Sequence, residues 1–298
     1  MWAWYDWYMI LVDYSGIAIS NIFTQKMDVS EHLVRHMILN SLRMYNLKHR
    51  KEYGQMVIAC DGGSWRKQIY PQYKAHRKAN RDDSGLDWTE FFRILTLVRN
   101  EIAENFPYKV VHINNIEADD IIGTLTEKTQ NFGQHEPVMI ISSDKDFIQL
   151  QQYSNVKQFS PMTKSFIKEK DPVKYLFDHT VRGDSGDGIP NILSPDNTFV
   201  DKIRQKPVSA KKVDAWYASR SSLDTVMNQE TYRNFQRNTA LIDLSKVPQD
   251  KKDSIINTFD SAKPNSNILN YLISKRCTQL IECAEEFNSL WTLKSTKS

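Results

Sequence analysis

Four short apolar runs, each closed by carboxylates, constrain this chain more than any other feature. Met9-Ile10-Leu11-Val12 ends at Asp13, and Met56-Val57-Ile58-Ala59-Cys60 ends at Asp61. Residues 109–113 lead into Glu117, Asp119 and Asp120, and residues 138–141 into Asp144 and Asp146. Apolar runs this short have the length of buried strands. Helical patterns lie between them, over about 32–48 and 88–105, with Phe91, Phe92, Leu95, Val98 and Ile102 at helical spacing in the second. A fifth strand is expected over 156–159. Strands alternating with helices build a mostly parallel sheet. Ligands of such a sheet sit beyond the carboxyl ends of its strands, so the fold gathers all four acidic groups along one edge.

Each cluster alone has an ordinary explanation. Acids in a first helical turn are common caps, and Asp-Lys-Asp suits a turn. Carboxylates that converge, however, repel one another unless a counter-charge joins them, and oxygen-only ligands suit magnesium or manganese. Four such endings in one sheet favour a metal site over four unrelated caps.

The net charge of +3 does not by itself imply nucleic acid; the distribution of charge does. Residues 64–81 carry Arg66, Lys67, Lys74, Arg77, Lys78 and Arg81 with no Asp or Glu, and Trp65, Tyr70 and Tyr73 are interleaved. Basic side chains neutralise phosphates and aromatic faces stack on bases. A solvated basic loop is the alternative. Cys60, Cys277 and Cys283 have no metal-ligand spacing, which fits a reducing, intracellular location. The aromatic start of the chain, interrupted by Asp6 and Asp13, lacks a basic leader and is too short to cross a membrane.

Residues 182–192 are rich in turn formers. Asp184 and Asp187 can add carboxylates to a metal site, and Gly186 and Gly188 can let backbone N–H groups approach a phosphate. A plain interdomain turn competes with that reading. Beyond it the chain reads as helical. Phe199, Trp216, Leu223, Val226, Tyr232 and Phe235 are the expected core there, and Lys202, Lys206, Lys211 and Lys212 form a basic face. Final helices are expected within 267–291.

Together these stretches resemble the 5′ nuclease family that includes flap endonucleases. The likeness rests on Asp13, Asp61, the basic segment from Trp65-Arg66-Lys67 to Tyr73-Lys74 and Arg77, and Glu117-Ala118-Asp119-Asp120. Ser142-Ser143-Asp144-Lys145-Asp146-Phe147 and Gly183-Asp184, Asp187 and Ile189-Pro190 complete it, in order, from residue 9 to beyond 250. The resemblance implies an α/β, PIN-like nuclease domain over 1–181, with a helical arch at about 64–87. A smaller all-helical, helix–three-turn–helix domain over 182–298 would follow.

The resemblance also implies a metal-dependent 5′→3′ exonuclease with ribonuclease H and flap endonuclease activity, removing RNA primers and adjacent DNA in replication. Two Mg²⁺ ions are implied, with Mn²⁺ able to substitute. By position, Asp13, Asp61, Glu117, Asp119 and Asp144 would serve the first, with Asp120 beside them, and Asp146, Asp184 and Asp187 would lie towards the second. Lys74 and Arg77 match arch residues that contact the scissile phosphate. Arg66, Lys67, Tyr73, Lys78, Arg81, Gly186, Gly188 and the four lysines of the basic face would bind nucleic acid.

The expected partners are RNA–DNA hybrids, duplex DNA and 5′ flaps, with single-stranded-DNA-binding protein and a sliding clamp. The protein is expected to be a cytoplasmic monomer (in the host-cell cytoplasm if phage-encoded), with no membrane contact. Two departures stand out: Gly188 replaces a usual Asn and Asn191 a usual Gly, and Asn tolerates left-handed backbone. Residues 2–8 match no family motif and are read as a partner-docking or core-extending segment. The rival functions are a non-catalytic branched-DNA-binding module and a magnesium phosphatase. An aspartyl phosphatase usually has Asp-x-Asp after its first strand, whereas Tyr14-Ser15 follows Asp13.

Overall fold

The computed structural model describes residues 8–25, 30–77, 81, 85–130 and 135–288. Residues 2–7 of the aromatic start and Lys78 lie outside them. Six strands form one sheet in the order β3-β2-β1-β4-β5-β6. They are β1 (Met9–Asp13), β2 (Gln55–Cys60), β3 (Lys109–His112), β4 (Val138–Ile141), β5 (Val156–Ser160) and β6 (Ser165–Ile167). The first five are parallel and β6 is antiparallel to β5. β1 and β4 are buried at every position, which is why they read as continuous apolar runs rather than alternating ones. β6 went unread because three residues ending in a half-buried Ile167 are too short to show a period.

The register places Asp13 opposite Ala59 and Val12 opposite Ile141. The carboxyl ends of β1, β2 and β4 are therefore level. Helix Glu31–Tyr53 begins at Ser30, whose hydroxyl accepts the Leu33 N–H, and ends at Gly54 with φ of 68°. Helix Trp88–Asn105 begins at Asp87, which accepts the Glu90 N–H at 2.9 Å. It buries Phe91, Ile94, Leu95, Val98 and Ile102. Phe92, expected on that stripe, is instead 43% exposed.

The described residues form two compact units, divided differently from the expected break after 181. One unit holds the chain up to Gly63, Asp87–Lys168 and the chain from Gln249 on; the other holds Ser64–Leu86 and Glu169–Pro248. Apolar contacts explain the division. Ile268, Tyr271, Leu272, Leu280 and Phe287 belong to the core over the sheet, where Tyr271 and Phe287 each meet the Phe106 ring edge-on at 5.2 Å. Tyr271 also donates its hydroxyl to Glu101, which is ion-paired with buried Arg35.

In the second unit Tyr70 and Tyr73 cluster with Ile189, Leu241 and Ile242. Its larger core joins Phe177, Val181, Val213, Trp216, Leu223 and Met227. Val226, expected there, is 48% exposed. The expected arch is not a continuous helix among the described residues. Helix Arg66–Ile69 is followed by turns, and Lys74 has φ of 57°. No helix of the described residues is long and apolar enough to cross a membrane.

Candidate metal centre and nucleic-acid interface

β1 is the strand at which the sheet order reverses, with β2 and β3 on one side and β4 and β5 on the other. The crevice at such a point is where open α/β sheets bind ligands. Asp13 stands at its floor. Its Oδ1 accepts the Gly16 N–H at 2.9 Å, and its Oδ2 accepts the Ser142 hydroxyl at 2.8 Å. A Cβ at residue 16 would lie 2.3 Å from Asp13 Oδ2, so only glycine fits beneath that carboxylate. Ser142 Oγ also accepts the Asp144 N–H at 3.1 Å, which ties the loop after β4 to the end of β1. Asp144 in turn accepts the Asp146 N–H at 2.9 Å.

Asp61 follows β2, and its Oδ1 accepts the N–H of Ala118 at 3.0 Å. Ala118 opens helix Ala118–Lys128, so this bond brings Glu117 and Asp119 beside Asp61. The electrostatics carry the imprint of the cluster. Burial, reinforced by the charges of Asp61 and Asp144, pushes the Asp13 carboxyl from 3.8 up to about 7, against the lowering by its hydrogen bonds. A hard divalent cation with oxygen ligands fits such a set, because it replaces the lost hydration and cancels the like-charge repulsion.

Asp120 departs from the expected ligand role. It is fully buried, its Oδ2 accepts the Glu117 N–H at 3.1 Å, and it forms a capping box with Glu117. Its carboxylate holds the helix start. Ser142 was missed as a site residue; its place directly after an apolar run and before Asp144 was the available signal.

Asp184 and Asp187 lie in the second unit. Asp184 Oδ1 accepts the N–H of Gly186 at 2.7 Å and of Asp187 at 3.3 Å, and His179 Nε2 lies 3.3 Å from its Oδ2. Asp187 accepts the Tyr73 hydroxyl at 2.8 Å, pairs with Arg77, and lies 3.5 Å from Lys74 Nζ. Lys74 and Arg77, expected at a phosphate, both lie against the Asp187 carboxylate.

Four further expectations are corrected here. The Gly186 and Gly188 N–H groups do not line a phosphate cradle, being donated to Asp184 Oδ1 and the Ser185 carbonyl. Arg66 is 2% exposed and donates to the Leu241 carbonyl at 2.7 Å, so it builds the unit rather than gripping nucleic acid. Tyr73 is likewise 2% exposed, and Trp65 and Tyr70 are buried, which removes their faces from stacking. Asn191 does not have positive φ. Its side chain brackets the chain by donating to the Lys206 carbonyl at 2.8 Å and accepting the Leu193 N–H at 3.0 Å. Lys67, Lys202, Lys206, Lys211 and Lys212 are exposed and Arg81 is half-buried.

Residues 9–178 match the model of the 5′-3′ exonuclease N-terminal resolvase-like domain, and residues 173–287 match that of the T4 RNase H C-terminal domain. The chain is 31% identical over 292 residues to ribonuclease H of Enterobacteria phage T4, covering 93% of this chain and 95% of that protein. The chain belongs to the 5′-3′ exonuclease family. This 5′-3′ exonuclease is also 31% identical over 196 residues to the 5′-3′ exonuclease of Buchnera aphidicola, covering 62% of this chain and 65% of that one. Its fold is similar to that of the bacteriophage T5 flap endonuclease solved with DNA and metal ions, with a TM-score of 0.58 and 18% identity, over 85% of this chain and 98% of that one. The mostly parallel sheet followed by helices is the architecture expected for the family.

Proposed function

We propose that this 5′-3′ exonuclease is a magnesium-dependent nuclease that hydrolyses RNA–DNA hybrids, duplex ends and 5′ flaps, and removes RNA primers in replication. The observation that carries the reading is Asp13, buried between Asp61 and Asp144 at the reversal point of the sheet and held near a pKa of 7. Asp13, Asp61, Glu117, Asp119 and Asp144 would hold one metal, with Asp146 the next carboxylate along. Two such ions, when bound, would supply a water activated at neutral pH and charge neutralisation on the scissile phosphate.

The chain's own groups do the rest. Ser142 and Gly16 fix both oxygens of Asp13, so the carboxylate meets its ligand already oriented. The Ala118 N–H holds Asp61 in the same way. Lys74 and Arg77, paired with Asp187 in the free protein, would offer positive charge to a substrate phosphate. Lys67, Arg81 and the exposed lysines at 202, 206, 211 and 212 contact phosphates without reading bases. The T4 relative is named as a ribonuclease H and the T5 structure holds DNA and metal ions, which supports this substrate class.

The test is digestion of end-labelled hybrid and flap substrates in magnesium and in chelator. Short 5′ products in magnesium alone are expected. Binding without cleavage in either would turn the protein into a branched-DNA-binding module.

A further inference from the structure

β4 ends at Ile141, while its neighbour β5 runs on to Ser160. The Ser142 N–H still reaches the Phe159 carbonyl at 3.1 Å, and beyond it the chain turns away with Asp144 and Asp146. The carbonyls of Ser142 and Asp144 thus leave the ladder, and one side chain takes both. Gln158 of β5 is fully buried, and its Nε2 donates to the Ser142 carbonyl at 3.1 Å and to the Asp144 carbonyl at 2.6 Å. An amide nitrogen carries two hydrogens, so each carbonyl has its own. Gln158 Oε1 accepts from Gln151 Nε2 at 3.1 Å. That bond fixes which way the amide faces, since a turned amide would set its oxygen against two carbonyl oxygens. Gln151 lies near the end of the 3₁₀ turn Lys145–Gln152, whose start is capped by Asp144. The segment bearing Asp144 and Asp146 is therefore closed at both ends on one buried amide. An apolar residue would suit so deep a position, as it does at Ile140, the register partner of Gln158 in β4. A polar group there costs stability unless it is fully paired.

We infer that Gln158 is a positioning residue for the metal site: through the carbonyls of Ser142 and Asp144 it sets where the Asp144 and Asp146 carboxylates stand, and so sets affinity for the divalent cation. The inference rests on the nuclease reading of the acid edge, in which those carboxylates are ligands. Gln158 itself touches neither metal nor substrate in this role. Asp144 is exposed at the crevice while its own carbonyl is held from within, so the backbone is anchored and the carboxylate is left available. A ligand whose backbone is already fixed has less freedom to lose when the cation arrives. Loss of a hydrogen-bond partner that holds a metal ligand in place weakens metal binding or activity by about 10–100-fold. Asp13 is held separately, by Gly16 and the Ser142 hydroxyl, so the amide of Gln158 acts on Asp144 and Asp146.

The test measures Mn²⁺ binding directly, from the electron paramagnetic resonance signal of the free ion, for wild type, Gln158→Met, Gln158→Glu and Asn155→Leu. Methionine keeps the length of the side chain and has no donor. Glutamate keeps its shape and the acceptor for Gln151 but cannot serve both carbonyls, and it carries the test if Gln158→Met does not fold. Asn155 stands just before β5 at the opposite end of the sheet, where it donates to the Glu136 carbonyl at 2.6 Å and to Thr129 Oγ1 at 3.2 Å. Asn155→Leu therefore controls for the loss of a structural amide. Both Gln158 variants should bind Mn²⁺ about tenfold more weakly than wild type. The magnesium concentration giving half-maximal flap cleavage should rise by a similar factor, with the rate at saturating magnesium largely kept. Asn155→Leu should lower the melting temperature and move neither quantity. Wild-type Mn²⁺ affinity in a folded Gln158 variant, or an equal loss of affinity in Asn155→Leu, overturns the inference and leaves the nuclease reading intact. A wild-type protein that neither binds Mn²⁺ nor cleaves in magnesium overturns both.

Discussion

Replacing Asp13 with asparagine should make the metal-free protein more stable. The folded chain holds the Asp13 proton up to a pH of about 7, whereas the unfolded chain releases it near 3.8. Between those values the folded state binds more protons, so this group's contribution to stability falls as pH rises. Below 3.8 both states are protonated and the group costs nothing; above 7 the cost is complete. Three pKa units correspond to about 4 kcal/mol at 1.36 kcal/mol each. Asparagine cannot ionise, is nearly the same size, and keeps an oxygen for the Gly16 N–H and an amide for Ser142 Oγ. It is still a buried polar group, so a return of about 2–4 kcal/mol is expected. At roughly 2–4 °C per kcal/mol for a chain of this class, Asp13→Asn should melt about 5–15 °C above wild type in chelator at pH 8. The gap should close by pH 4. Magnesium should then stabilise wild type by mass action and leave the variant nearly unmoved. Thermal unfolding from pH 4 to 8, with and without magnesium, reads all of this. A gap that does not depend on pH, or a variant less stable than wild type in chelator at pH 8, would refute the argument.

Asp119→Asn should abolish cleavage while the protein stays folded and binds DNA, and near-normal turnover in magnesium would remove Asp119 from the ligand set. Asp120→Ala should act on stability, costing about 1–2 kcal/mol through the lost cap, as denaturant titration would show. Arg66→Ala should also cost about 1.5–3 kcal/mol, the worth of a hydrogen bond from a charged group, and a loss of DNA affinity at unchanged stability would contradict its structural role. Removing Lys211 or Lys212 should lower the slope of log affinity against log salt by about 0.9 for each true phosphate contact. Unchanged slopes at both would place the duplex elsewhere.

The sheet and its acid edge were legible because burial on both faces leaves a continuous apolar run, and a strand that ends at a ligand site ends at a polar residue. Asp13, Asp61 and Asp144 could be placed on that ground alone. Ser142 was missed because a serine after a strand is a weak signal that it will join the Asp13 carboxylate to the Asp144 N–H. The basic segment misled for a different reason. Arg66, Tyr70 and Tyr73 have the composition of a phosphate-and-base surface, yet their hydroxyls and guanidinium satisfy buried carbonyls and Asp187. Composition does not report which face of an amphipathic side chain is turned inward. Phe92 shows the same limit in reverse, since helical spacing allows a stripe one residue wider than the buried one.

The division of the chain bears on how the protein is made. The sheet that carries the acids is closed over by Ile268, Tyr271, Leu272, Leu280 and Phe287, which leave the ribosome after the whole second unit. Domains tend to fold as units during synthesis, and here the unit with the metal site lacks part of its core until residue 287 has emerged. Residues 64–86 and 169–248, by contrast, can meet one another earlier. A nascent chain halted at residue 248 would therefore display an unfinished acid edge and remain open to protease, so cutting power would be withheld from the growing polypeptide and granted near the end of its synthesis.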